Sequence, residues 1–267
     1  MITEEQKAHF DVFGFVMLPQ LFSHKEIEAL REASIEVINQ NDSSDVLDSD
    51  EGWSIGGFME RHPLLITLLD DDRIYGIPET LLRPDFVLEM TDGHVRGGNT
   101  PWHGRKVTDG SSEEDSYGDR FNCRVCFYFD SLNSENGALR VIPGSHRRPF
   151  ADHLSPLWNQ YDDSSSTPVG VSDSEIPCVV LDAEPGDAVV FTESVYHGSF
   201  GGKSRLQLTS QYIANPTTEE HLALVREQHD QYKWGFHPAE SAINSDLPRV
   251  RRMVSKLVEL GCTPLPV

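Results

Sequence analysis

Residues 123–146 have the sequence CRVCFYFDSLNSENGALRVIPGSH, which contains two candidate strands separated by a turn. The first run, Cys123–Asp130, is rich in aromatic and β-branched residues, and the second, Leu139–Ile142, is short and largely apolar. SENGA (134–138) and PGSH (143–146) are turn sequences, because glycine, asparagine, proline and serine favour the backbone angles of tight turns. The stretch therefore predicts short strands joined by tight loops.

Further short β-type runs extend this pattern in both directions: Phe86–Met90, Cys178–Leu181, Ala188–Phe191 and Leu206–Ile213. No helical pattern lies between them, so an antiparallel sandwich or barrel is expected. The chain before them has helical character, with capping-box spacing at Thr3/Gln6 and Ser23/Glu26. We therefore predict a single domain with a helical N-terminal layer (about 1–80), a β core (about 81–215) and a C-terminal helical segment (about 216–267).

The composition excludes several classes of protein. The 267 residues include 22 Lys+Arg and 43 Asp+Glu, which gives a net charge of −21. Sequence-independent binding of nucleic acid depends on Lys and Arg neutralising phosphates, so nucleic-acid binding is not expected. A hydrophobic content of 38% argues against a disordered chain and allows a full apolar core.

The sequence shows no sign of membrane insertion or secretion. No apolar run approaches the roughly 20 residues of a membrane span, and the N-terminal MITEEQKAHF has no apolar signal region. Cys123 and Cys126 lie three apart on a candidate strand, so their side chains should point to opposite faces, which does not suit a shared metal or a redox pair. Four cysteines form no disulfide scaffold, and a cytoplasmic protein is expected.

The strongest candidate site joins residues from separate strand ends. His103 lies in NTPWHGR, His197 lies in VYHGSF, and Arg205 follows on the next strand. Two neutral imidazoles can bind a divalent metal, and a guanidinium offers a planar pair of donors to a carboxylate. A dicarboxylate that chelates the metal and reaches the guanidinium would bridge the three residues.

These segments resemble the phytanoyl-CoA dioxygenase family of Fe(II)- and 2-oxoglutarate-dependent oxygenases. ENGALRVIPGSH is the most specific match, and DVFGFVMLPQLFSHKEIEALR, NTPWHGR and EPGDAVVFTESVYHGSFGGKSRLQLTSQYI also match. The resemblance covers most of residues 10–215. It implies a mainly β fold with flanking helices around a double-stranded β-helix (jelly-roll, cupin-like) core. It also implies iron, 2-oxoglutarate, molecular oxygen and a small-molecule substrate.

The resemblance assigns residue roles by position. His103 matches the first histidine of the family's His-x-Asp iron motif, His197 matches the distal histidine, and Arg205 matches the arginine that binds 2-oxoglutarate. Arg124 stands where the family often has a basic residue near the cosubstrate. The carboxylate position is occupied by Arg105, and an arginine cannot ligate a metal because it has no acceptor atom.

Three interpretations of Arg105 stay open. A carboxylate from the following acidic segment, with Asp109 nearest, could replace the missing ligand and preserve the oxygenase activity. A halide could take the third position, as in halogenase-like relatives. The site could also be degenerate, in which case the protein is a non-catalytic small-molecule-binding protein on the same fold. We expect an oxygenase that hydroxylates a small molecule.

Overall fold

The computed structural model describes residues 2–41, 52–104, 122–157 and 167–267. Within these ranges the chain forms eight strands: β1 Phe15–Leu18, β2 Trp53–Gly56, β3 Val87–His103, β4 Asn122–Tyr128, β5 Leu139–Val141, β6 Val179–Leu181, β7 Ala188–Phe191 and β8 His197–Ile213. The α-helices of the same ranges are α1 Glu4–Phe13, α2 His24–Gln40, α3 Pro63–Ile66, α4 Asp72–Leu82, α5 Phe150–Leu154, α6 Glu219–Gln231, α7 Glu240–Ile243 and α8 Pro248–Glu259. Short 3-10 turns occur at Met59–Arg61, Thr67–Asp70, Ser155–Leu157 and Asp173–Glu175.

The strands are antiparallel and form two layers that share their longest members. The first layer has the order β1-β7-β4-β8-β3-β2, and it uses the later part of β8 and the earlier part of β3. The second layer is built from β6, β5, the start of β8 and the end of β3. Both long strands therefore cross from one layer to the other, which closes the core into the expected double-stranded β-helix.

Strand β4 shows how the sequence fills both sides of the first layer. Cys123, Val125 and Phe127 belong to the large apolar cluster that includes the helices. Cys126 and Tyr128 belong to the cluster between the two layers. This alternation confirms that the two cysteines of Cys123–Cys126 point to opposite faces.

The N-terminal helices form as their end signals predict. Thr3 with Gln6 caps α1, and Ser23 with Glu26 caps α2, each through a reciprocal pair of side-chain and backbone hydrogen bonds. The apolar stripe of α2 is buried against the first layer; its members are Ile27, Leu30, Ala33, Val37 and Ile38. This packing anchors the layer that carries one wall of the site.

Two strands of the first layer come from the N-terminal part of the chain. β1 lies between α1 and α2 and pairs with β7. β2 pairs with the early part of β3 and has no counterpart among the predicted strands. The chain after β8 returns to helices, as expected, and none of the helices in the described residues is long and apolar enough to cross a membrane.

Candidate functional site

Strand register brings His103 and His197 together. His103 is the last residue of β3, His197 is the first residue of β8, and the two are direct cross-strand partners. Their ring centroids lie 4.1 Å apart. Directly opposed residues of an antiparallel pair project to the same face of the sheet, so both imidazoles reach the same cavity.

The backbone selects one tautomer for both imidazoles. Nδ1 of His103 lies 2.8 Å from the carbonyl oxygen of Pro101, and Nδ1 of His197 lies 2.7 Å from that of Val195. A carbonyl oxygen only accepts, so each Nδ1 donates and carries the ring proton. The lone pair of each neutral ring is then on Nε2, and such a second contact is the usual way to orient a metal-binding histidine. The pair therefore suits a divalent metal.

Arg205 lies in the wall of the same cavity. The residue is 6% exposed, and its Nη2 donates a hydrogen bond of 2.6 Å to Oγ of Ser199. A buried guanidinium on the wall shared by the two imidazoles provides a fixed cationic partner for a carboxylate. The cavity is also lined by His94, Thr100, Arg124, Cys126, Tyr128, Gly137, Leu139, Phe191, Gly198, Gln207 and Thr209.

Arg124 also lines this cavity, but two carboxylates hold its guanidinium. Nη2 donates to Asp92 Oδ2 at 2.8 Å, and Nη1 lies 3.2 Å from Glu193 Oε1. His94 pairs with Asp92, and Gln211 donates to Glu193 at 2.6 Å. The cavity wall therefore carries a polar network in which the charge of Arg124 is balanced.

Electrostatics keeps Asp92 and Arg124 ionised. Burial by itself raises the pKa of Asp92, but the charges of His94 and Arg124 outweigh burial and hold that pKa well below its usual range. Burial likewise lowers the pKa of Arg124, and Asp92 and Glu193 more than reverse the effect. Asp92 and Arg124 therefore form a buried ion pair beside the site.

We predict that Asp92→Asn destabilises the fold by about 3–5 kcal/mol at neutral pH, because removing one partner of a buried pair leaves the other charge poorly compensated. Asp92 is 1% exposed, so solvent cannot replace the lost carboxylate. Urea denaturation measures the effect, and Asp11→Asn, which removes a surface ion pair to Lys7, is the matched control with an effect below about 1 kcal/mol.

The same variant should show a defined pH dependence. The pKa of Asp92 is lower in the folded protein than the value of about 3.9 for an unfolded chain. Its stabilising contribution is therefore complete above about pH 4 and is lost as the pH falls below that value. The difference in free energy of unfolding between wild type and Asp92→Asn should shrink on acidification. Equal stability of the two proteins at neutral pH would contradict the stabilising role of Asp92.

The residue predicted as the third metal ligand, Asp109, lies outside the described residues. Arg105 and Asp109 both lie in the segment between residues 104 and 122, so the expectation for Asp109 is not tested. Across residues 2–41, 52–104, 122–157 and 167–267, no group of three or more His, Cys, Asp or Glu side chains is arranged to hold a metal. The described part of the site therefore offers two imidazoles.

Sequence reasoning did not identify three residues of this site. Asp92 and Glu193 hold Arg124, and Tyr128 lines the cavity. The period-two spacing of Arg124 and Tyr128 on one strand places them on the same face and could have indicated Tyr128. No comparable local signal marks Asp92 or Glu193, because their importance depends on pairing with a distant strand.

The family assignment follows from comparison with known proteins. The family model for phytanoyl-CoA dioxygenase (PhyH) matches residues 10–206. The chain belongs to the phytanoyl-CoA dioxygenase family. The matched region includes both histidines and Arg205, and it ends within β8.

Relatives of this family member share parts of its sequence. Peroxisomal phytanoyl-CoA dioxygenase of Rattus norvegicus is 33% identical over 88 residues, which are 32% of this chain and 25% of that protein. The matches to the first three curated relatives span 34%, 25% and 25% of their lengths.

Solved structures share the fold of this phytanoyl-CoA dioxygenase family member. EctD from S. alaskensis with 2-oxoglutarate and 5-hydroxyectoine is 23% identical, with a TM-score of 0.59 over 80% of this chain and 76% of that chain. HygX from Streptomyces hygroscopicus with iron bound is 21% identical, with a TM-score of 0.59 over 81% and 88% of the two chains. The double-stranded β-helix fold is therefore shared with both.

Proposed function

We propose that this protein is an Fe(II)- and 2-oxoglutarate-dependent oxygenase that hydroxylates a small molecule. The observation that carries the proposal is the cavity wall formed by His103, His197 and Arg205. Membership of the phytanoyl-CoA dioxygenase family supports it, as do the iron and 2-oxoglutarate bound by the structurally similar proteins.

His103 and His197 would hold the iron through Nε2, the nitrogen that their backbone contacts leave with the lone pair. Arg205 would bind the far carboxylate of 2-oxoglutarate through its guanidinium, which Ser199 orients. Bound Fe(II) and 2-oxoglutarate would supply the electrons that reduce, and so activate, molecular oxygen. Buried walls such as Phe191, whose ring lies 4.8 Å from that of His197, exclude water from the metal side.

Two further residues have proposed roles. Asp109 would supply the carboxylate ligand in place of the family aspartate, because it is the first acidic residue after Arg105 in the sequence. Arg124 would lie beside the cosubstrate as a rigid cation, since Asp92 and Glu193 fix its guanidinium from two sides.

The proposal predicts a visible absorption band when Fe(II) and 2-oxoglutarate are added together without oxygen. The band arises from charge transfer between iron and a chelating 2-oxo acid, so it needs both to be bound at one centre. Glutarate is the matched control, because it can meet Arg205 but lacks the 2-oxo group and should give no band. Admission of oxygen should then produce succinate.

Two results would contradict the proposal. Absence of the band at saturating Fe(II) and 2-oxoglutarate would show that no chelate forms. Calorimetric binding of a small organic acid without any metal would then favour the alternative of a non-catalytic binding protein on the same fold.

A further inference from the structure

We propose that Gly202 and Gly137 fix the depth of Arg205 in the cavity and thereby select the chain length of the 2-oxo dicarboxylate. This inference rests on the proposed function, since it assigns Arg205 to the far carboxylate of the cosubstrate. The two glycines act through Arg205 and are positioning residues. They lie in different parts of the chain, one before β5 and one within β8.

A side chain on either glycine would meet the same atom of Arg205. A Cβ on Gly202 would lie 2.1 Å from Nη1, and a Cβ on Gly137 would lie 2.7 Å from it. The backbone of Gly202 itself would be 2.8 Å from the Gly137 Cβ, so the two residues form one notch around the guanidinium. Any larger side chain at either position would occupy the space that Nη1 now fills.

The other end of the guanidinium is held independently. Nη2 donates to Oγ of Ser199 at 2.6 Å. The notch formed by Gly137 and Gly202 therefore limits how far Nη1 can move away from the imidazoles. The Ser199 hydroxyl orients the plane of the guanidinium. The notch thus sets the distance of the cation from the two imidazoles, which a bridging dicarboxylate must span, and the hydroxyl sets only its orientation.

The displacement that a side chain at residue 202 would impose on Arg205 is about as long as one C–C bond, that is, one methylene group of the acid. Non-bonded heavy atoms prefer separations of about 3.5 Å, so a methyl at residue 202 requires Nη1 to be displaced by roughly 1.4 Å. One C–C bond is about 1.5 Å. Gly137 lines the cavity and Gly202 does not, so a methyl at residue 202 presses on the guanidinium from outside the cavity. The cation should move towards the imidazoles, and a shorter acid should then fit better.

Gly201 provides a matched control on the same strand. Its φ of +73° makes alanine unfavourable, and its Cβ would lie 2.8 Å from the carbonyl oxygen of Glu135. Gly202 has no such φ, but its Cβ would lie 2.6 Å from the carbonyl oxygen of Gly98. Both substitutions therefore strain the backbone locally, whereas only Gly202→Ala meets Arg205.

The test measures binding of 2-oxoglutarate and of its four-carbon homologue, oxaloacetate, by calorimetry. Wild type, Gly202→Ala and Gly201→Ala are compared as Zn(II)-loaded proteins, so that no turnover occurs. In Gly202→Ala we expect the affinity ratio of 2-oxoglutarate to oxaloacetate to fall by about tenfold, the usual effect of one methylene in a fitted pocket. In Gly201→Ala the ratio should equal that of wild type although the melting temperature falls.

A second variant keeps the test decisive if Gly202→Ala does not fold. Ser199→Ala removes the orienting hydroxyl and leaves the notch, so it should weaken both acids by the same factor and preserve their ratio. A changed ratio in Ser199→Ala, or an unchanged ratio in folded Gly202→Ala, would overturn the inference. Failure of the proposed function would look different, because wild type itself would then bind no 2-oxoglutarate in the presence of metal.

Discussion

His197→Ala is expected to abolish stoichiometric binding of Fe(II). His197 contributes one of the two imidazoles that meet at the cavity, and its Nδ1 contact to Val195 leaves the lone pair on Nε2, the proposed ligand atom. An alanine has no ligand atom, so only His103 and the proposed ligand Asp109 would be left to hold Fe(II) against water. We expect the affinity to fall by at least about 100-fold, beyond the 10–100-fold typical of losing an outer-shell partner.

Equilibrium dialysis with metal analysis measures this loss directly. Co(II) provides a second readout, because its visible spectrum reports the number and type of ligands. His24→Ala is the matched control, since the His24 side chain is 82% exposed on α2 and lies 3.3 Å from Glu28, away from the cavity wall. Stoichiometric metal in a folded His197→Ala variant would remove His197 from the centre. Loss of metal in His24→Ala as well would point to a general effect of the substitution.

The fold was predictable because its local signals agree with one another. The run that becomes β4 is rich in aromatic and β-branched residues, and turn sequences follow it at 134–138 and 143–146. The capping residues Ser23 and Glu26 begin α2 where the pattern predicts. Such signals depend on a few neighbouring residues, so the sequence alone contains them.

The pairing of strands was harder to predict from the sequence, because it depends on contacts between residues that are far apart in the chain. β2 was not predicted, since its short run WSIG becomes a strand only through pairing with β3. β3 also continues well past Met90 to His103, through glycines that weaken local strand preference. These residues are held by β8, and tertiary pairing overrides their intrinsic tendency.

The residues of the candidate site also fall into two groups, those that the sequence predicts and those that only strand pairing brings into the site. His103, His197 and Arg205 were identified from residue type and motif, and the structure brings all three to one cavity. The ion pair of Arg124 with Asp92 was not, because it crosses from β4 to β3 over 32 positions of sequence. Residue chemistry indicates what a side chain can do, but strand register decides which partner it meets.

Arg205→Ala is expected to weaken 2-oxoglutarate binding by about 100-fold or more. Arg205 is 6% exposed, so its charge acts in a site with little competing water. A hydrogen bond to a charged group contributes about 1.5–3 kcal/mol, and the guanidinium offers a carboxylate two of them. A loss of about 3 kcal/mol corresponds to a factor of roughly 150 in the dissociation constant.

Titration of 2-oxoglutarate at fixed anaerobic Fe(II) measures this affinity separately from that for the metal. Arg140→Ala is the matched control: its guanidinium donates to the carbonyl oxygens of Ser134 and Ser174, and it is absent from the cavity wall. Arg205→Lys should fall between wild type and alanine, because an ammonium keeps the charge but lacks the planar fork. Unchanged affinity in Arg205→Ala would place the far carboxylate elsewhere, and Arg124 would then be the next cation to test.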